Sequence, residues 1–361
     1  MSALPPPDST LPPLGQLDFP GYLTVPTALL PMLRARLGQS VTKGRVIQGC
    51  RVQMLKERLG SRQVMAYKVA LLDPRTNTRS QLELIGKSVS GPAGARAAQE
   101  FQAMRTVWEA GFGTDKRFRI ARPIDHCPDL GLLLEEKAPG VAFSNFVGQS
   151  SPSSLSYGRM AGLWLAKLHK VKTSRLNCSY QADLEALNIF VKELSAALPS
   201  LSHVLQTLDK AIRKKLESFR GVSAAMVHGD FHPENILVAR GRVTVIDFDR
   251  FCISDPAKDV GSFIAHMRIK AGISRHSLEM ANREIATFLN AYFGAVSKAE
   301  RTILAPRIPA FVGHSCLEAL YYVVCVMRVT DADLHAIYLR CALGSGVLQA
   351  DPVRTVAVAA D

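Results

Sequence analysis

Apolar and polar positions alternate in three successive runs, residues 50–59, 63–72 and 81–89, with the period of two expected of strands that bury one face. Leu59-Gly60-Ser61-Arg62 joins the first two and Asp73-Pro74-Arg75-Thr76-Asn77 the next two. Both connectors are rich in turn formers, so the pattern predicts a small antiparallel sheet. A short helix is predicted ahead of it, around residues 27–37. Gly91-Pro92 breaks the third strand, and residues 95–110 supply helix formers up to Gly111, a C-terminal stop. Leu132-Leu133-Leu134 then predicts a buried strand, and the polar turn Glu135-Glu136-Lys137-Ala138-Pro139-Gly140 leads the chain out of it.

Beyond this turn the period changes. Met160, Leu163, Trp164 and Leu168, then Ile212, Leu216 and Phe219, fall at helical spacing, as do stretches from His276 to Ala342. Within this region two short apolar strands, 236–238 and 243–246, flank Ala239-Arg240-Gly241-Arg242 and predict a hairpin. The expected class is α+β with two lobes: a nucleotide-binding sheet plus helix at 21–137 and a helical lobe at 138–361. No solenoid repeat is present.

Composition refines this picture at its edges. With 47% hydrophobic and 21% charged residues the chain can bury a substantial core. Residues 1–20 are rich in Pro, with Ser, Thr and Gly among them, and are expected to form a flexible leader. The N-terminus has neither a basic start nor an apolar stretch, and the longest apolar run, 319–327, falls short of a membrane span, so a cytoplasmic protein without a membrane partner is expected. That run suits either a helical core or a dimer face. Seven scattered cysteines without a Cys-x-x-Cys pair argue against a disulfide framework. The formal charge of +13 is spread over both halves with no basic block, which describes a solvated surface rather than a nucleic-acid partner.

The chemistry is concentrated in Met226-Val227-His228-Gly229-Asp230-Phe231-His232-Pro233-Glu234-Asn235 and in Ile246-Asp247-Phe248-Asp249. The predicted hairpin sets Asn235 and Asp247 at neighbouring strand ends, where an amide and a carboxylate converge as oxygen donors of the kind Mg²⁺ prefers. Asp230, on the loop five residues earlier, is placed to accept a hydroxyl's hydrogen bond and proton. Asp249 either approaches the metal's surroundings or makes a loop hydrogen bond, Asp255 caps the helix that begins near Pro256, and His232 packs within the loop.

The pattern His-x-Asp-x-x-x-x-Asn, with the Asp247 of Ile-Asp-Phe-Asp twelve residues on, resembles the aminoglycoside phosphotransferase and choline kinase family of small-molecule kinases. The His-Gly-Asp-Phe-His-Pro form departs from protein kinases, which carry Arg and Leu in this loop and Asp-Phe-Gly after it. The resemblance implies a protein-kinase-like two-lobed fold. It implies Asp230 as catalytic base, Asn235 and Asp247 as Mg²⁺ ligands and His228 as a structural loop residue. Asp255 and Asp259 match the family's following acidic helix start. In the first lobe Lys87, at the end of the third strand, and Glu100, on the helix, resemble the kinase lysine and its glutamate; Lys68 is the competing lysine. Residues Glu135 to Lys137 fall at the family's interlobe hinge, where backbone groups would read a purine. Lys56-Glu57-Arg58-Leu59-Gly60-Ser61-Arg62 lacks Gly-x-Gly-x-x-Gly, so Gly60 and Ser61 form a plain turn or offer N–H groups to phosphate. Leu165-Ala166-Lys167-Leu168-His169 is similar to the family's Leu-x-x-Leu-His helix, with His169 structural. The activity implied is transfer of a phosphoryl group from ATP, or GTP, to a hydroxyl of a sugar, amino sugar or amino alcohol; a catalytically silent nucleotide-binding module is the alternative. A protein substrate is disfavoured, because Phe251 to Asp255 runs almost directly into a helix without a long activation segment.

Overall fold

Strands β1 (Val46–Arg58), β2 (Arg62–Leu72) and β3 (Arg79–Val89) form an antiparallel meander that β6 (Leu132–Glu136) and β5 (Pro123–Cys127) extend, giving the order β1-β2-β3-β6-β5. The computed structural model describes residues 26–58, 62–89, 94–149, 151–171, 180–219 and 224–349. The Pro-rich leader, Gly60 and Ser61, the Gly91-Pro92 break and Cys178 lie outside the described residues. The β2–β3 connection closes as its sequence requires: Asp73 Oδ1 accepts from the N–H groups of Arg75 and Thr76, and Asn77 takes a left-handed φ of 56°.

The chain divides into two units. In the first, residues up to 109 together with 121–138, helix α1 (Pro26–Arg36) lies against β1. Its Leu29 and Leu33, with Leu37 just beyond, join Met65, Tyr67, Val69, Leu84, Leu132 and Leu134 in one buried cluster. These are the alternate residues of the predicted strands, so the period-2 pattern is the physical cause of this core. Helix α2 (Gly94–Val107) packs on β3, β5 and β6.

The second unit comprises 110–120 and 139–349 among the described residues. Residues 110–120, read from the sequence as part of the first lobe, belong here because β4 (Phe118–Ile120) pairs in parallel with β10 (Arg242–Val245). The pairing of β10 with β9 (Ile236–Ala239) is the predicted hairpin, turned by Arg240 and Gly241 at φ of 44° and 73°. A short β7 (Val141–Ala142) completes this sheet, and β8 (Ala225–Val227) pairs with β11 (Cys252–Ser254).

Helices make up the rest: α3 (Pro152–His169), α4 (Gln181–Ala197), α5 (Ser202–Ser218), α6 (Ala257–Ile273), α7 (Leu278–Ala295), α8 (Lys298–Leu304), α9 (Ile308–Tyr321) and α10 (Ala332–Leu343). Helices α3 and α7 approach so closely that a Cβ on Gly162 would stand 2.3 Å from the Phe288 carbonyl oxygen. Helix α9 is buried along most of its length and contacts α4, α5, α6 and α10. The continuous helical stretch Lys298–Val326, which includes α9 and the π-helical turn Tyr322–Val326, is long and apolar enough to cross a membrane by length and composition. The sequence has no unbroken apolar run of that length, because polar and charged residues such as Arg301, Arg307 and Glu318 interrupt it. In the structure most of it is buried in the helical core.

Candidate active site

In the first unit, β3 carries Lys87 and α2 carries Glu100, thirteen residues apart in sequence. Their side chains meet at 2.6 Å between Nζ and Oε1, with both almost fully buried. Burying an ammonium alone would be costly, and the carboxylate partner offsets that cost. The competing Lys68 is half exposed and pairs loosely with Glu83 at 3.8 Å.

Two of the three hinge residues engage their backbone N–H groups within the first unit. The backbone N–H of Lys137 donates to the Glu83 carbonyl and that of Glu136 to the Arg122 carbonyl, so neither is left for a purine in this arrangement. The Lys137 ammonium pairs with Glu83 at 2.8 Å. Glu135, whose side chain was given no role from sequence, is buried and lies 3.4 Å from Lys87.

In the second unit, the loop between β8 and β9 brings the sequence motif together. Asn235 Nδ2 donates to the Asp230 carbonyl at 3.1 Å and lies 3.5 Å from its Oδ2. The Ile246 N–H donates to the Asn235 carbonyl at 3.0 Å, so the hairpin register ends with Asn235 beside the residue that precedes Asp247. Asp247 itself takes a left-handed φ of 68°, a conformation that costs a non-glycine residue energy and that turns the chain sharply off the strand. Asp249 is exposed in the turn that follows.

Two imidazoles hold the loop. His228 is fully buried; its Nδ1 accepts from the Asp230 N–H at 3.3 Å, which leaves Nε2 to donate to the Ile246 carbonyl at 3.0 Å. It therefore ties the loop to the strand end next to Asp247, a structural position. His232 Nδ1 faces the Glu234 N–H at 3.3 Å, and its Nε2 lies 3.4 Å from Asp230 Oδ2, while its ring stacks on His266 of α6 with centroids 4.7 Å apart. Burial opposes ionisation of Asp230. The hydrogen bond and charge of His232, with the charges of Arg250 and His266 nearby, nonetheless hold its carboxyl well below the usual carboxylate range. Asp230 is thus an anion at neutral pH. Arg250 in turn pairs with Glu318 of α9.

Asp259, in the first turn of α6, carries more of the site than the sequence disclosed. Its carboxylate is fully buried and accepts from the backbone N–H groups of His228 at 2.7 Å and Gly229 at 2.8 Å. His169 Nε2 adds a third contact at 3.1 Å, and His169 Nδ1 is bonded to the Tyr292 hydroxyl at 2.8 Å. The loop has no room to shift at Gly229, where φ is 79° and a Cβ would stand 2.1 Å from the Arg250 carbonyl oxygen. The one signal in the sequence was an acidic residue opening an otherwise apolar helix. Asp255 accepts from the Ala257 N–H at 2.8 Å, as expected of a cap, and also from the Arg307 guanidinium at 2.6 and 3.0 Å and the Tyr180 hydroxyl at 2.8 Å.

The donor set fits a hard divalent cation. The Asn235 amide directs Nδ2 at Asp230, so its Oδ1 is the atom that remains for a ligand role, and Asp247 supplies a carboxylate. No cluster of three or more His, Cys, Asp or Glu suited to a metal occurs among the described residues. Mg²⁺ held by one or two protein oxygens plus phosphate and water needs none.

A sheet unit with a buried Lys–Glu pair and a helical unit with this loop together define a protein-kinase-like fold. The chain belongs to the phosphotransferase enzyme family, whose profile its sequence matches over residues 75–302. Solved structures with the same fold include a choline/ethanolamine kinase family protein from Mesorhizobium loti, 17% identical, with 92% of this chain and 97% of that one covered at a TM-score of 0.56. Another is a thermostable mutant of an aminoglycoside phosphotransferase in ternary complex with ADP and hygromycin B, 14% identical, with 90% and 100% covered at 0.57. A third is an amicoumacin kinase in complex with AMP-PNP, Ca²⁺ and Ami, 16% identical, with 84% and 91% covered at 0.56. No curated protein matches the chain. Family and fold together support small-molecule phosphotransferase activity.

Proposed function

We propose that the protein transfers the γ-phosphoryl group of ATP, or of GTP, to a hydroxyl of a sugar, amino sugar or amino alcohol, with Mg²⁺ as the metal. The observation that carries this reading is the meeting of Asp230, Asn235 and the strand end that leads into Asp247. The ionised Asp230 accepts the hydrogen bond of the acceptor hydroxyl and aims its oxygen at phosphorus. A carboxylate held this acidic is a weak base toward a neutral alcohol. Its first contribution is therefore orientation, and the proton reaches it late, as the new O–P bond forms and the bond to the leaving nucleoside diphosphate breaks. Asn235 and Asp247 would hold Mg²⁺, which when bound neutralises phosphate charge. Lys87, kept in place by Glu100, has the charge to orient nucleotide phosphates.

The test is nucleotide turnover across a panel of sugars, amino sugars and amino alcohols, with ADP and GDP release followed in the presence of Mg²⁺. Release stimulated by one acceptor class supports the reading and names the class. Mg-nucleotide binding without stimulation by any of them would favour a silent nucleotide-binding module instead.

A further inference from the structure

Helix α6 runs along the loop between β8 and β9 and meets it at successive levels. Asp259 accepts from the His228 and Gly229 N–H groups, Phe263 packs on Phe231 with ring centroids 5.9 Å apart, and His266 stacks on His232 at 4.7 Å with the planes 15° apart. Spacings of four and then three residues put these side chains on one face of the helix, over loop residues on either side of Asp230. The first two contacts explain their residues: a carboxylate satisfies N–H groups, and an apolar ring fills the core. The stack on His232 would be served as well by phenylalanine. What His266 adds is its ring nitrogens, and neither makes a hydrogen bond to protein among the described residues. His232, by contrast, faces the Glu234 N–H with Nδ1 at 3.3 Å, and Asn235 and Asp230 with Nε2 at 3.1 and 3.4 Å. The imidazole beside the candidate base with polar atoms to spare is therefore His266, which is partly exposed.

We propose that His266 is an acceptor-contacting residue: it hydrogen-bonds a second hydroxyl of the acceptor, next to the one aimed at Asp230, so that the acceptor is a sugar or amino sugar with neighbouring hydroxyls. The inference rests on the phosphoryl-transfer reading and narrows it, setting aside amino alcohols such as choline and ethanolamine, which carry one hydroxyl. The surroundings of the ring select its partner. Removal from solvent, with the charges of His232 and Arg250, pushes the His266 imidazole down to about 3 against the opposing pull of Asp230. It is neutral at pH 7, with one nitrogen donating and the other accepting, and a hydroxyl does both. An ammonium on the carbon next to the reacting hydroxyl would meet the same desolvation and the same neighbouring charges that keep His266 from protonating. Asp230 stands on the loop and His266 on a packed helix, so together they fix the acceptor at two points and orient its reacting oxygen.

The experiment follows acceptor-stimulated nucleoside diphosphate release by the full chain, with Mg-ATP or Mg-GTP, for D-glucose, D-ribose, D-glucosamine, choline and ethanolamine. Wild type, His266→Phe and His266→Gln are compared, and the Mg-nucleotide dissociation constant is measured for each. One of the sugars is expected to turn over. His266→Phe keeps the stacked ring and removes both nitrogens; it should raise the KM of that sugar about tenfold and leave the nucleotide dissociation constant within about threefold of wild type, while His266→Gln should recover most of the loss. His266→Leu replaces the Phe variant should that one not fold, with the same result expected. Among the monodeoxy derivatives of the sugar, the one lacking the second hydroxyl should show a KM about tenfold higher in wild type and lose nothing further in His266→Phe, a coupling that a histidine with only a structural role would not produce. An unchanged KM in His266→Phe, a loss that falls equally on every monodeoxy derivative, or turnover of choline or ethanolamine alone overturns the proposal and leaves the kinase reading standing. Turnover of no acceptor in the panel, or no nucleotide binding, removes that reading and the proposal with it.

Discussion

Asp230, Asn235 and Asp247 were legible in the sequence because their geometry is local: one loop and one hairpin set all three, and twelve residues separate the last two. Asp259 and the side chain of Glu135 were not, since their partners lie 31 and 48 residues away and only tertiary packing brings them near. Asp259 satisfies the backbone N–H donors of His228 and Gly229 in the β8–β9 loop with a buried carboxylate. Asp259→Ala should therefore cost about 3 kcal/mol of stability in urea unfolding, because both donors and His169 lose their acceptor. A loss under about 1 kcal/mol would mean that water replaces the carboxylate and that the loop is not clamped as described. Asp247→Asn keeps the shape at the strand end and removes the anionic donor. The Mg²⁺ concentration for half-maximal activity should rise about tenfold or more, as read from a metal titration of turnover.

At the scale of elements, the sheet was read from its alternation and the helices from their spacing, with ends displaced by a few residues because strand pairing extends beyond the apolar positions. Residues 110–120 went to the wrong unit for a physical reason. A three-residue strand in a parallel pair has no sequence signature, and what holds this segment is the Asp115 pair with Lys167 at 2.6 Å and the Trp164 indole N–H on the Arg119 carbonyl at 2.9 Å. Burial works against the Asp115 anion, but Lys167 and the Phe118 and Arg117 N–H groups lower its carboxyl to about 2 from an ordinary 3.8. A carboxyl lowered by folding adds stability that is present above its unfolded value and is lost as pH falls through its folded value. The difference in melting temperature between wild type and Asp115→Asn should therefore be constant above about pH 5 and should shrink from about pH 4 downward. A difference that grows on acidification would contradict this sign. The tight crossing of α3 and α7 makes a separate prediction. Gly162→Ala should lower stability by about 2 kcal/mol in thermal unfolding, since the added methyl meets backbone rather than a movable side chain.

For the whole molecule, the sequence disclosed the class of fold through two kinds of period, alternation in the first unit and helical spacing in the second, each of which buries its own core. The net charge of +13 decided nothing at this scale, because it is dispersed and the candidate-site lysines Lys87 and Lys137 each pair with a carboxylate. The helical unit carries no motif that names an acceptor, for such a site is assembled from side chains on separate helices and leaves no contiguous pattern. The central claim is that Asp230 acts on the acceptor hydroxyl rather than on the nucleotide. The measurement that tests it most directly compares wild type with Asp230→Asn for both Mg-nucleotide dissociation constant and acceptor-stimulated turnover. The account predicts a nucleotide affinity within about threefold of wild type and a turnover lower by at least about a hundredfold. Turnover retained in Asp230→Asn, or lost only in proportion to nucleotide affinity, would contradict it.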